Sequence, residues 1–365
     1  MNTLLRTILP SFLLLAACTE PGSGTDADTG TDSTSDADST SESGDTAGEP
    51  QEFVACDDEF TITDPNPMYA WTPNAVTLES HELSPRVFEV HDANAKDYAA
   101  AGIPLATSGG FVIGDDGVLL IETMVNRQLF CQLIDLVHEQ TDKPILYAIN
   151  TSFHGDHSFG NAYLPDEVQI VQHARTAEYI ADHFAEDVAF MEAGFGADQG
   201  IGEATAVAAD VLVTDAGWSV DLGGVVVVAQ YHGFGQTEGD LFVHVPAAKV
   251  LWTGNPLIAE APALPWLLEG QAQAVRATLA AVKASVPADT TIVPGHSHPL
   301  GVEDFDFSID YLDTLVDEVQ IAVDEGLTVE ETVAAVTMEP FQGYALWDWI
   351  HSSINVPTTH AELGG

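Results

Sequence analysis

The stretch "NTSFHGDHSFGN", Asn150 to Asn161, sets His154, Asp156 and His157 within four residues, between an apolar run and a Gly-Asn turn. The preceding "PILYAIN" reads as a buried strand, so these side chains emerge at a sheet edge, where a rigid scaffold can fix a loop. Imidazole and carboxylate suit a divalent ion such as Zn²⁺, and the short spacing lets one turn present them. One position stands out: Ser152 sits two residues before His154, where a further ligand would fit.

Two other segments end in the same way. "IVPGHSHP" (Ile292 to Pro299) is a β-branched run closed by Pro-Gly, delivering His296 from a strand end. "YHGFGQTEGDLFVHVPAAKVLWTGN" joins a Gly-rich loop carrying Gln236 to a hairpin that ends at Thr253-Gly254-Asn255. Three strand-end loops of this kind can converge above one sheet edge, though each alone is also an ordinary polar turn.

The rest of the chain supplies the scaffold. "RVFEVHD" and "GGFVIGDDGVLLIET" read as strands, the second with a Gly-Asp-Asp-Gly turn, and "EVQIVQHA" as another. "NRQLFCQLIDLVHEQ" carries Leu129, Leu133, Ile134 and Val137 on one helical stripe. "ARTAEYIADHFAEDVAFMEAGF" reads as a helix, with an Ala-rich helical continuation to Asp210. Leu264 to Val286 reads as an amphipathic helix, and the tail as two helices, the second with Thr328 as N-cap and Glu331 three residues later. No linker interrupts residues 51–365, which are expected to form one α/β domain of two facing sheets with helices outside.

These motifs together resemble the metallo-β-lactamase-fold hydrolases, from about Arg86 to Gly301. "NTSFHGDHSFGN" is similar to the family's His-x-His-x-Asp-His motif, and "GFGQTEGD" to its Gly-His-Thr-x-Gly-Asp loop. "LWTGN" matches a strand ending Thr-Gly-Asp, "VPGHS" the last ligand loop, and "GVLLIET" the usual Ile-Asp-Thr. The tail, with "IHSSINVPTTHAEL", further resembles exported members associated with quinoprotein and sulfur-oxidation systems. The resemblance implies a four-layer αββα sandwich and two zinc positions. Asp156, His157 and His296 match one position completely. The other would need histidines at 152 and 236 besides His154, and a bridging aspartate at 255; this chain has Ser152, Gln236 and Asn255. Neutral hydroxyl and amide groups are poor zinc ligands, so one ion, at the complete position, is expected.

Outside this domain the reading rests on composition. The chain of 365 residues has 57 Asp and Glu against 9 Lys and Arg, a formal charge of −48, which repels nucleic acid and leaves no basic patch to bind it. "MNTLLRTILPSFLLLAAC" has a positive start, a short apolar segment and Leu-Ala-Ala before Cys18, and resembles a bacterial lipoprotein signal. The resemblance implies removal of residues 1–17, lipidation of Cys18 and membrane attachment through that anchor. Thr19 in place of Asp points to the outer membrane or cell surface. Residues 18–50 are small, polar and acidic, as in a disordered tether. Cys56 and Cys131 can pair in an oxidising compartment, tying a first strand to an early helix, or remain two buried thiols.

Two functions follow. In the first, the chain is a hydrolase with one zinc, whose substrate is a small lactam, ester, thioester or phosphoester. His154 would handle the water's proton, Asp156 would serve as both ligand and catalytic group, and Asn255 or Gln236 would donate to an oxyanion. In the second, the chain is a non-catalytic, surface-tethered domain with one structural metal or none.

Overall fold

The structure, a computed structural model, describes residues 51–56, 72–103 and 105–365. The expected signal, Cys18 and tether lie outside the described residues. Among those described, the first sheet holds seven strands side by side in chain order. They are β1 (Leu78–Ser84), β2 (Val87–Asp92), β3 (Gly109–Ile113), β4 (Val118–Ile121), β5 (Ile145–Ile149), β6 (Gln169–His173) and β7 (Val211–Val213). The second contains β8 (Trp218–Asp221), β9 (Val226–Gln230), β10 (Phe242–Val245), β11 (Val250–Gly254) and β12 (Thr291–Pro294), in reverse order across the sheet. The helices are α1 (Ala95–Ala100), α2 (Arg127–His138), α3 (Gly155–Ser158), α4 (Ala174–Phe195), α5 (Ala272–Ser285), α6 (Phe305–Asp324), α7 (Val329–Ala335) and α8 (Val356–Glu362).

Alternation along the strands builds the layers. Leu119 and Ile121 point between the sheets, where they join Ile149, Val243, Trp252 and Val293 in one buried core. Val118 and Leu120 point the other way, into a core with Leu129, Phe130, Leu133 and Ile134 of α2. Phe242, Leu251 and Ile292 form the third core with Leu279 and Val282 of α5 and Leu312 and Leu315 of α6. The expected αββα sandwich is therefore present, and the described residues fall in one compact unit. Burying each such side chain contributes about 1.5–3 kcal/mol. The two sheets also lock at a specific contact: Trp252 Nε1 donates to Gly109 O at 2.8 Å. A Cβ on Gly110 would lie 2.8 Å from that indole, so only glycine fits there.

Several elements differ from their expected extents. The α4 helix stops at Phe195 because Gly196 takes φ +109°, and the Ala-rich stretch beyond it forms short 3₁₀ turns and extended chain rather than helix. Leu264 to Gly270 is loop: Gly270 and Gln271 both take positive φ, so α5 begins only at Ala272. The strands β1, β7 and β8 are additional, as is a π-helical segment, Asp348–Asn355, leading into α8. The α7 capping box forms between Thr328 and Glu331. Cys56 and Cys131 form a disulfide, but Cys56 lies in coil, so the bridge ties the chain before the first sheet to α2.

Candidate metal centre

The β5 strand ends at Ile149, and the next residues are tied back onto the sheet. Asn150 Nδ2 and Thr123 N both donate to His157 O at 2.9 Å, and Asn161 Nδ2 donates to Asn150 Oδ1 at 2.7 Å. The single turn α3 thereby presents Asp156 and His157 on a fixed backbone. The β12 strand ends at Pro294, and Gly295 lets the chain pass Asn255: a Cβ there would sit 2.5 Å from Asn255 Oδ1. His296 follows at once.

Asp156 Oδ2 is the hub of this arrangement. It lies 3.4 Å from His157 Nε2 and 3.4 Å from His296 Nε2, and it accepts a 2.6 Å hydrogen bond from Thr107 Oγ1. Ligand atoms held at ~2.0–2.1 Å by a tetrahedral zinc stand roughly 3.3–3.4 Å apart, so these separations are those of a zinc ligand set. His296 is prepared for the role, since its Nδ1–H donates to Leu105 O at 2.9 Å and leaves Nε2 bare, buried and without a partner. Burial pushes its pKa down to about 4, keeping the ring neutral. His157 Nδ1 faces Glu122 Oε1 at 3.1 Å, the carboxylate-histidine arrangement that orients metal ligands. Burial opposes its ionisation, but the charges of Asp156 and Glu122 outweigh that and push it up to about 9. The Asp156 carboxyl is held below its usual range: burial raises it, and the surrounding histidines lower it further. The residues present therefore fit one zinc ion at Asp156, His157 and His296.

Of the remaining predicted residues, Asn255, Gln236 and His154 line the same cleft, whereas Ser152 does not. Asn255 Oδ1 accepts from His157 Nε2 at 2.9 Å, through a proton that a zinc ion on that nitrogen would replace, while its Nδ2 donates to Gln236 Oε1 at 2.9 Å. Gln236 Nε2 is buried without a partner. Ser152 is fully buried, and its Oγ accepts from His154 N at 3.5 Å, a local turn contact. His154 has both ring nitrogens buried without hydrogen bonds, with Nδ1 3.8 Å from Asp187 Oδ1. Burial lowers its pKa, but Asp187 more than compensates and the net shift is upward.

Three contributors were not singled out from the sequence. Glu122 stands in the "IET" motif, where its position was visible but its action through His157 was not. Asp187 lies mid-helix on α4 and carried no signal. The mouth of the cleft is apolar, formed by Phe190, Met191, Trp266, Leu268 and Trp349. Trp266 and Leu268 belong to the segment expected to be helix.

Comparison with known proteins agrees with this geometry. The family model described as the metallo-beta-lactamase superfamily matches residues 102–296. The fold is similar to that of a metallo-beta-lactamase from Pontibacter korlensis, at 17% identity and TM-score 0.51, covering 65% of this chain and 99% of that one. It is similar to a mono-zinc form of a Pseudomonas aeruginosa metallo-beta-lactamase, at 17% identity and TM-score 0.51, covering 65% and 96%. A stereoselective inverting sec-alkylsulfatase from a Pseudomonas species gives 18% identity and TM-score 0.60, covering 85% of this chain; the chain spans only 54% of that enzyme's length. A ligand set at two strand-end loops of an αββα sandwich, inside a match that covers more than half of the sequence, places this chain in the metallo-beta-lactamase superfamily.

Proposed function

We propose that the chain is a hydrolase working with a single zinc ion on Asp156, His157 and His296, and that its substrates are neutral, apolar lactams, esters or thioesters. The observation that carries this is the convergence of two histidine nitrogens on one oxygen of Asp156. Zinc at such a site supplies Lewis acidity and acidifies water. His154, outside the ligand set and backed by Asp187, is placed to take or give a proton in the cleft. Gln236 Nε2, a buried donor without a partner, is suited to a developing oxyanion, whereas the Asn255 amide is already committed to Gln236. The apolar mouth excludes water and favours an apolar group on the substrate. No Lys or Arg lines the cleft among the described residues, which disfavours phosphate and sulfate esters.

The chain acts, on this proposal, as an exported lipoprotein attached through Cys18, with no nucleic-acid partner. The Cys56–Cys131 disulfide supports an oxidising compartment.

One observation favours a second reading, a non-catalytic domain: the Gln236–Asn255–His157 chain satisfies most of its own polar groups without an ion. A screen of the zinc-loaded protein against lactams, esters, thioesters and phosphoesters separates the two. Turnover of a neutral substrate that His296→Ala abolishes, together with zinc retention in the cleft, supports the hydrolase. A zinc-loaded protein inert across all four classes supports the scaffold.

A further inference from the structure

A second group of ligand atoms lies on the edge hairpin, away from the cleft-lining residues. In the β1–β2 ladder Glu79 stands opposite His91, and His81 opposite Glu89. Because side chains alternate along each strand, these four residues share one face of the hairpin. Glu89 is fully buried, and its two oxygens are divided between the imidazoles: Oε1 meets His81 Nδ1 at 2.9 Å and Oε2 meets His91 Nδ1 at 2.6 Å. The rings stack, with centroids 5.1 Å apart and planes 17° from parallel.

This arrangement sets the tautomer of both rings. With Nδ1–H donated to Glu89, each Nε2 presents a lone pair, and both Nε2 atoms face one oxygen, Glu79 Oε1, at 3.6 Å from His81 and 3.5 Å from His91. Three electron-rich atoms facing one another repel unless a cation stands among them. The gaps are too long for good hydrogen bonds, so protons on Nε2 would bridge them poorly. They are close to the roughly 3.3–3.4 Å edge of a tetrahedral zinc site. A buried carboxylate behind both histidines is also the feature that orients metal-bound imidazoles and raises their basicity.

We propose that His81 Nε2, His91 Nε2 and Glu79 Oε1 bind a divalent transition cation of the zinc class, with Glu89 as the positioning residue for both imidazoles. His91 is buried, whereas the side chains of His81 and Glu79 are 52% and 43% exposed, so the ion enters from solvent and keeps a water-facing position. Since β1 is the outermost strand of the first sheet, the ion clamps an edge strand to its neighbour. The inference is independent of the hydrolase reading, because none of these residues lines the cleft.

The test uses the full chain carrying His296→Ala, which removes a ligand from the cleft centre, loaded with Zn²⁺ and dialysed before metal analysis. The expected result is one retained zinc per chain, a zinc-dependent rise in melting temperature of roughly 3–6 °C, and loss of both on adding His81→Ala and His91→Ala. Should the double substitution disturb folding, Glu79→Gln, on a half-exposed side chain, is expected to weaken zinc binding at least tenfold while circular dichroism is unchanged. Glu89→Gln is expected to weaken it while leaving all three ligands in place. A His296→Ala chain that retains no zinc, or whose zinc content and thermal shift are unmoved by Glu79→Gln and His81→Ala, would overturn the proposal and leave the four residues as a proton-bridged ion-pair network.

Discussion

Asn255 and Gln236 are bonded to each other, Nδ2 to Oε1 at 2.9 Å, at the two positions where a second metal ion would need a carboxylate and an imidazole. The substitutions are complementary: the Asn255 amide donates to the Gln236 carbonyl oxygen, and Asn255 Oδ1 also takes the hydrogen-bond position on His157. Below them, Asp240 accepts from Gln236 N at 2.5 Å and Thr237 N at 2.9 Å, fixing the turn that holds Gln236. This pairing supports the proposed single-ion cleft.

Asn255→Asp is expected to strengthen zinc retention in the cleft by tenfold or more. A carboxylate oxygen would replace the amide oxygen 2.9 Å from His157 Nε2, and rotation of the Gln236 amide would restore their contact. Competition with a chromophoric chelator measures the change.

Glu122→Gln keeps the shape of the side chain and removes its charge. Glu122 faces His157 Nδ1 and also accepts from Thr151 N at 3.2 Å and from Thr151 Oγ1. A 10–100-fold loss of zinc affinity is expected by the same chelator assay, with the near-ultraviolet circular dichroism preserved. An unchanged affinity would show that Glu122 only braces the loop.

Asn355→Leu should destabilise the fold by about 2–4 kcal/mol in urea denaturation. The Asn355 side chain is fully buried, donating to Pro265 O at 2.8 Å and Tyr311 OH at 3.0 Å and accepting from Leu267 N at 3.1 Å. It therefore pins the loop that carries Trp266 and Leu268, and a higher KM for apolar substrates should accompany the loss of stability.

Glu269 supplies a pH dependence. Although more than a third of the residue meets solvent, the surrounding protein pushes its carboxyl up to about 7, with His154 opposing and Asp240 and Glu238 assisting the rise. A carboxyl that holds its proton more tightly when folded stabilises the protein at low pH, fully below its ordinary value of 4.5, and that contribution is lost as pH rises through about 7. Glu269→Gln should therefore flatten the decline in stability between these two values. Solvent contact keeps the effect modest, and parallel thermal melts across the pH range measure it.

How far the sequence could be read depended on whether the signal was local. Asp156, His157 and His296 were legible because each closely follows an apolar run and lies within two residues of a glycine. The loss of ligands at 152, 236 and 255 was legible only through the resemblance of the same motifs to the family's. Glu122 was not, since its effect passes through His157 across the sheet. The 264–270 loop was misread because "LPWLLEGQAQAV" has apolar residues at helical spacing, while the break depends on positive φ at Gly270 and Gln271. The hairpin cluster was missed because β1 is an edge strand with three intermediate-to-exposed polar positions, Glu79, Ser80 and His81, in its first four, which hides the alternation. Cys56 and Cys131 could be proposed as partners but not paired, because pairing depends on a distance set only by the packing of α2.

The most direct test of a single-ion cleft is a crystal structure of the zinc-loaded, dialysed protein with anomalous data collected across the zinc edge. One anomalous peak is expected in the cleft, within ~2.0–2.2 Å of Asp156, His157 and His296. Two strong peaks in the cleft about 3.5–4 Å apart, or none beside Asp156, would contradict it.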